Sequence, residues 1–491
     1  MRRVPRVVSG SCPAPGRGRH SAAAVASCLV IPVVLCACAS PNRVNKQIAQ
    51  HLISGDYAAG VSLLETEKER SFGGKNALLY HLERGMLLHY DGRYAESNDS
   101  FELAHRISED LYTRSVSAEA ATFLVNDNAR PYYGENFERA LAHMFSALNY
   151  EALGSTDEAL VEIQRLNFLL RRLGDEGGYN NTYSDDSFGH YLAAMFFEAD
   201  GQLDEALIAY KKALDSYRVH RDAYGVETPS LLLPQATAVA AQLGSSDLRE
   251  LQRRYGRARP RLLPEGFGEV VLLHYNGRAP EKIDVFVDVA FGEGWAYVNR
   301  FEVDSESRRQ VAQASMAATS IATAESFRVA FPKYREVPHA IAYAEVRADG
   351  SGEAVRAELV EDVGAVAVRD LEDRMARIRV KAIARAAIKY ALNRGAVEAV
   401  RNSDDPNADL FAAALQIGGS ILRNATEVAD KRGWLAIPEE IWMAILALPA
   451  GDHSLSLTYR NAAGAPVATG GIEKVSVRPG ERTFAIVETM R

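Results

Sequence analysis

The sequence predicts an α+β protein: an irregular helical solenoid over residues 44–258, then a β-rich domain over 259–491 with a helical insertion at about 363–430. Three observations carry this. Apolar residues recur at helical spacing up to about residue 255, with glycine breakers between the runs. From Pro260 the runs become short and bounded by Gly and Pro, as strands are. The helical period then returns between two such β-rich stretches. With 491 residues, 47% apolar and 24% charged, the chain has ample surface to bury as a folded body.

The front end reads differently. Residues 1–20 carry Arg2, Arg3, Arg6, Arg17 and Arg19 and no acid. Residues 21–35 are apolar, interrupted by Ser21, Ser27, Cys28 and Pro32, and small residues follow. That is the order of an export signal. The run is shorter than the roughly 20 residues a spanning helix needs. All four cysteines (Cys12, Cys28, Cys36 and Cys38) lie here. Leu35-Cys36-Ala37-Cys38 resembles the bacterial lipobox. The resemblance implies a signal peptide over 1–37, diacylglycerol on the Cys38 sulfur, acylation of the new amine and a tether over 38–43. Ala39, standing where a retention signal would place Asp, implies an outer-membrane, periplasm-facing location. Each buried lipid CH₂ contributes about 0.8 kcal/mol, so several acyl chains anchor stably. The mature body would be thiol-free, which suits an oxidising compartment. A cleaved signal with incidental cysteines and an uncleaved anchor are the other readings. Removing the five arginines from 56 basic residues leaves 51 against 64 acidic ones, a net of −13. A body that acidic argues against nucleic acid as a partner.

In the helical half, "GMLLHYDGRYAESNDSFELA" places Gly85, Leu88, Gly92, Tyr94, Phe101 and Ala104 at tetratricopeptide-like offsets. "SALNYEALGSTDEALVEIQRL" repeats this around Gly154, and "AAMFFEADGQLDEALIAYKKAL" around Gly201. A weaker copy surrounds Gly55. The turn glycines lie 37, 62 and 47 residues apart, against about 34 for strict repeats, so insertions are expected at 107–135 and 174–187. Tyr179 and Tyr183 in the second insertion read either as partner contacts or as part of a solvated connector.

The stretch 123–167 is the most distinctive. Asn126, Asp127, Tyr132, Gly134, Phe137 and Glu138 form an Asn-Asp-x-x-x-x-Tyr-x-Gly-x-x-Phe-Glu opening. With "AFPKYREVP" and "DKRGWLAIPEEIW" further on, it resembles a family of uncharacterised bacterial lipoproteins with tetratricopeptide-like helices. The resemblance implies a role in cell-envelope assembly. It points toward peptidoglycan, because in some bacteria members of that family are encoded beside lipoproteins that activate peptidoglycan synthases. Asn126, Asp127, Tyr132, Tyr133, Glu138, Asn149, Glu162 and Arg165 are the candidate partner-binding residues. The polar side chains among them read either as the lining of a recognition groove or as hydrogen-bond anchors for helix ends and the 123–135 loop.

Beyond Pro260, "GEVVLLHYNG" and "IDVFVDVAF" predict strands, and "AIAYAEVRADGSGEAVRAELV" a strand, a turn and a further element. The stretches from Gly451 to Met490 predict three or four strands of a half-buried antiparallel sheet. In the helical insertion, Arg377, Lys381, Arg385 and Lys389 recur at i+4. Like charges at that spacing cost a few tenths of a kcal/mol per pair (~0.2–0.5). An anionic partner would offset this, and an internal or solvated face is the other reading.

No catalytic signature is present. The sequence has no His-Glu-x-x-His, Gly-x-Ser-x-Gly, Ser-x-x-Lys or Walker loop. "DDPNADL" (Asp405, Asn407, Asp409) starts like a calcium loop but lacks its later Gly and Glu, and a helix N-cap explains it better. The stretch 409–422 holds a 13-residue uncharged run, 410–422, which is too short to span a membrane. The histidines stand in no ligand spacing. No cofactor, metal or catalytic residue is assigned. The expected function is a non-enzymatic, lipid-anchored scaffold whose helical half captures a segment of an envelope protein. The alternatives are an enzyme acting on cell-wall or surface polysaccharide, and a component of envelope polymer export.

Overall fold

The structure, a computed structural model, describes residues 41–118, 130–175, 183, 185–292, 295–297, 325–350, 353–401 and 429–490. Helices come first: α1 (Pro41–Ser54), α2 (Tyr57–Glu67), α3 (Ala77–Tyr90), α4 (Tyr94–Ala118), α5 (Asn136–Ala152), α6 (Thr156–Asp175), α7 (Ser187–Ala199) and α8 (Leu203–Tyr224). They pair in order as four helical hairpins. α9 (Leu232–Leu243) and α10 (Ser245–Tyr255) follow. Gly55, Gly92, Gly154 and Gly201 sit in the four hairpin turns with φ of 71°, 72°, 73° and 79°. A Cβ at any of them would touch nothing, so backbone conformation alone selects Gly. Gly85 has the opposite reason. A Cβ there would stand 2.6 Å from the Phe101 ring, so its absence lets α3 and α4 approach.

The strands are β1 (Phe267–Asn276), β2 (Glu281–Gly292), β3 (Trp295–Tyr297), β4 (Glu325–Arg335), β5 (Tyr343–Ala348), β6 (Val355–Arg356) and β7 (Glu358–Asp362). The long helix α11 (Val363–Arg401) precedes β8 (Glu440–Pro449), β9 (Gly451–Arg460), β10 (Pro466–Val477) and β11 (Arg482–Thr489). They form three sheets, ordered β11-β1-β8-β7, β10-β9-β5-β6 and β3-β2-β4. α11 is thus inserted between β7 and β8, which are neighbours in one sheet.

The alternation along β1 explains the layering. Val271, Leu273 and Tyr275 join the core of the helices, while Val270 and Leu272 join the core shared with β5 and β9. Helices, first sheet and second sheet stack as three layers. β1 is covered on both faces, which is why it reads as a nearly continuous apolar run. Residue 258 marks a change of secondary structure, and the hydrophobic core runs across it.

Two arrangements differ from the expectation. The strands after Gly451 do not form one antiparallel sheet. β9 and β10 stay together, but β11 crosses to pair in parallel with β1, with Glu269 opposite Arg482 and Asn276 opposite Thr489. Alternation reveals which face a strand buries and not which strand it pairs with. The inner face of the hairpins is also not an open groove. Tyr275 packs 5.7 Å from His89 and 5.6 Å from Phe145, Trp434 lies 6.0 Å from Phe145, and Phe484 lies 5.1 Å from Phe196. The chain's own sheet fills that face.

Candidate functional site

The three motif stretches meet at one place. Glu138, in the first turn of α5, is 1% exposed. Its Oε2 accepts from the Tyr132 hydroxyl at 2.6 Å and from the Glu135 N–H at 2.9 Å, and its Oε1 accepts from the Trp434 N–H at 2.8 Å. Burial, with Glu135 nearby, raises its pKa. Glu135 pairs with Lys282 of β2 and with Arg374 of α11. Burial opposes its ionisation, but Arg374 and Lys282 outweigh it and bring its pKa down to about 2. Lys282 also donates to the Arg432 carbonyl at 3.0 Å and lies 5.4 Å from the Tyr334 ring centroid. Arg432 donates to Asn76 and to the Arg130 carbonyl, each at 2.9 Å. Glu83 of α3 accepts from the N–H groups of Leu435 and Ala436, at 2.7 and 3.0 Å. Burial pushes Glu83 up to about 8. The segment 430–439 is thus buckled across the helices by carboxylates that turn inward. With its acceptors and cations mutually matched, this cluster is a clasp between layers.

Next to the clasp, Asn149 of α5 is wholly buried. Its Oδ1 lies 2.6 Å from His89 Nδ1, and its amide donates to Ser97 at 2.9 Å and Asn98 at 2.8 Å. It ties α3, α4 and α5 together. In α6, Glu162 Oε2 lies 2.7 Å from His143 Nδ1 and 3.7 Å from His105 Nε2, while Oε1 accepts from Arg165 at 2.7 Å. Arg165 also reaches Glu102 at 3.0 Å. Among the described residues, these two histidines and Glu162 are the group whose ligand atoms converge, within 4.8 Å. They come from α4, α5 and α6, so no local spacing could reveal them. The imidazoles are stacked at 3.7 Å and parallel within 5°. A metal binds imidazole nitrogen at about 2.0–2.1 Å and lies in the ring plane. Two stacked parallel rings share no such point. Burial lowers His143 to about 3, and Arg165 and Arg139 add to the shift, so the surroundings also disfavour a cation. As arranged, two stacked imidazoles lie beside Glu162, which is hydrogen-bonded to His143.

The remaining candidates scatter. Tyr133 is 38% exposed. Tyr183 is not a surface contact. It is 1% exposed, and its hydroxyl donates to Asp186 at 2.5 Å, where Asp186 caps α7 by accepting from Gly189 N. The basic stripe does not stay on one outer face. Arg377 is exposed, Lys381 half-buried and Arg385 buried beside Ala382 and Ile383. Each i+4 step turns roughly 40° relative to a 3.6-residue period, and by Arg385 the stripe has rotated into the packing face. The Lys389 side chain, Cys38, Asn126, Asp127, Tyr179, Asp405, Asn407, Asp409 and the run 409–422 lie outside the described residues. Ser187 Oγ lies 2.8 Å from His220 Nδ1, but Ser187 is wholly buried and Asp185 bonds His190 instead. A nucleophile needs a base oriented by a third group and access to substrate, so this pair is internal.

A cleft of about 360 Å³ opens where the turns after α5 and α7 meet the edge of the first sheet. Arg482 of β11 lies at its base. It donates to Glu269 through Nε at 3.0 Å and through Nη2 at 2.7 Å, to Glu198 at 3.2 Å and to the Met195 carbonyl at 3.0 Å. Arg261 Nε reaches the other Glu269 oxygen at 2.6 Å. The one legible signal was Glu269 itself, the one acid in the strand "GEVVLLHYNG", because a buried charge must be paired. Its partners, from 8 to 213 residues away, were not legible.

No protein-family model matches the chain, and no curated protein sequence matches it, so the resemblance to tetratricopeptide-like lipoproteins rests on the motif residues alone.

Proposed function

We propose that the protein is a lipid-anchored, periplasm-facing partner-binding scaffold of the cell envelope, built on tetratricopeptide-like hairpins and carrying no catalysis. The observation that carries this reading is the clasp around Glu138. The motif residues fix a helical layer rigidly onto a sheet, and a rigid frame suits the presentation of a surface to a partner. Because the sheet fills the inner face, the partner is taken up on the outer surface and at the seam between helices and sheet. The outer helices α4, α6 and α8 expose Leu103, Val161, Phe168, Ile208 and Val219 there. Lipid on Cys38 would hold that surface at the outer membrane.

The test is in-cell crosslinking followed by affinity purification, comparing wild type with Cys38→Ala. A defined envelope protein recovered only with the lipidated form supports the anchored scaffold. The same partners from both forms would remove anchoring from the reading, and no partner from either would overturn it.

A further inference from the structure

We propose that the arginine-rich outer side of α10, with the loop that follows it, is a docking surface for an anionic phospholipid bilayer. The inference goes beyond the scaffold reading and stands whether or not Cys38 carries lipid.

The sequence supplies the charge. Residues 249–261 hold six arginines (Arg249, Arg253, Arg254, Arg257, Arg259 and Arg261) and one acid, Glu250, in a chain whose acids outnumber its basic residues. The fold then sorts them. Leu248, Leu251 and Tyr255 turn one side of α10 to the core. A second side faces α8, where Glu250 meets Lys211 at 3.1 Å, Arg254 meets Asp215 at 2.5 Å, and the Tyr255 hydroxyl donates to the Lys211 carbonyl at 3.3 Å. Arg261 is engaged with Glu269 at 2.6 Å, and its backbone N–H donates to the Pro234 carbonyl at 3.1 Å, which pins the loop. Arg249, Arg253, Arg257 and Arg259 are exposed, and among the described residues none of the four stands in an ion pair. Arg218 lies two turns beyond Lys211 on the same side of α8, and it too is exposed with no ion pair among those residues.

Helix stability does not account for this set. Cations in a last turn complement the helix dipole, which serves Arg253 and Arg254. Arg249 lies a turn earlier, four residues from Arg253, where like charges repel. Arg257 and Arg259 lie past the helix end. All the exposed cations are arginine, whose planar fork matches a phosphate through two parallel hydrogen bonds. Forks spread along a helix side and a loop suit a field of phosphates rather than one anion at a point.

The second observation is apolar and independent of charge. Leu262 is 74% exposed, more than any other large hydrophobic among the described residues. It closely follows Arg257 and Arg259 in a stretch, 256–264, that forms neither helix nor strand. A lone exposed leucine is ordinary. An apolar tip beside unpaired cations is the pattern of segments that rest at the boundary of headgroups and acyl chains. There the leucine leaves water while the guanidiniums stay with the phosphates. An acidic protein segment would answer the cations and leave Leu262 uncovered. Each cation near an anionic leaflet adds to the attraction, and the acidic remainder of the body is repelled, so the contact has one orientation.

The test uses the full chain with Cys12→Ala, Cys28→Ala, Cys36→Ala and Cys38→Ala, so that no lipid is attached, and with Leu262→Cys carrying a nitrobenzoxadiazole fluorophore. Its emission brightens and shifts to the blue on leaving water. The readout is local to the loop, so vesicle binding by the front end alone does not imitate it. Vesicles of phosphatidylglycerol and phosphatidylcholine in equal parts are expected to give the shift, more weakly as salt is raised, and phosphatidylcholine alone to give none. Arg249→Gln with Arg257→Gln and Arg259→Gln is expected to keep the thermal midpoint and to raise the lipid concentration at half-signal at least tenfold. The matching three Arg→Lys changes should retain the shift. No shift with the anionic vesicles, equal shifts from both kinds, or an unchanged half-signal in the Gln variant overturns the proposal. A fluorescein-labelled Gly-Glu-Ala-Glu-Gly peptide that binds where the vesicles do not would assign the patch to an acidic protein segment and overturn the bilayer.

Discussion

The Glu138 carboxylate accepts the backbone N–H of Trp434 at 2.8 Å, across 296 residues of chain. The same side chain serves Tyr132 and the N–H of Glu135. Glu138→Ala would leave three donors unmatched in the interior, a loss of about 3 kcal/mol or more. Glu138→Gln retains one acceptor oxygen and should lose less. Urea unfolding of both variants checks the order; equal, small losses would remove Glu138 from the clasp.

Glu135 faces Lys282 and Arg374, so Glu135→Ala strands the buried Lys282, while Arg374, half-exposed, keeps its pair with Asp370. The expected loss is about 3–5 kcal/mol. Replacing Glu135 and Lys282 together by Leu and Met should recover most of it, because removing both charges removes the desolvation they suffer, while Arg374 stays paired with Asp370. The pairing lowers the folded pKa of Glu135 from its usual 4.5 to about 2. Its stabilisation is therefore complete above about 4.5 and is lost as pH falls toward 2. Acid unfolding of Glu135→Ala should show a shallower dependence across that window than wild type.

Glu83 behaves in the opposite sense. Burial raises it from 4.5 to about 8, so its contribution is present below about 4.5 and lost as pH rises through about 8. Wild-type stability should decline over that span relative to Glu83→Gln, whose side chain does not titrate. Parallel curves from chemical unfolding at several pH values would refute the assignment.

Gly85 and Gly154 offer a paired test of two reasons for glycine. Gly85→Ala places a methyl 2.6 Å from the Phe101 ring and should cost about 1–3 kcal/mol by overpacking. Gly154→Ala meets no atom but strains a backbone at φ 73° and should cost about 1 kcal/mol. Phe101→Leu should relieve the first variant and leave the second unchanged.

Zinc or cobalt(II) added to the purified chain should leave the thermal midpoint unmoved and give no cobalt absorption band. A band lost in His143→Ala would mean that the stacked imidazoles of His105 and His143 turn apart to hold an ion.

What could be read in advance followed the range of the interactions. The hairpin turns at Gly55, Gly92, Gly154 and Gly201 were legible because a turn is set by its own few residues. β1 was legible because burial on both faces leaves an unbroken apolar run. The polar residues Glu138, Asn149 and Glu162 stood out between apolar neighbours, but their partners did not, since Trp434, Ser97 and His143 come from other elements. The filled inner face was not legible either. The apolar pattern of α5 and α7 is the same whether a sheet or a partner covers it. Arg385 shows the limit of spacing arguments: an i+4 stripe predicts one face locally, and the slow rotation of that face decides where it ends.

The parallel pairing of β1 with β11 also dictates an order of events. Asn276 meets Thr489 213 residues later. Emerging from a ribosome or through a translocon front end first, the hairpins and β1 exist long before β11 arrives. Until then Phe196 lacks Phe484, Glu269 lacks Arg482, and the inner helices expose an apolar surface that a chaperone could hold. Such long-range closure is slow. A product truncated before residue 482 cannot seal its central layer and keeps that apolar surface open.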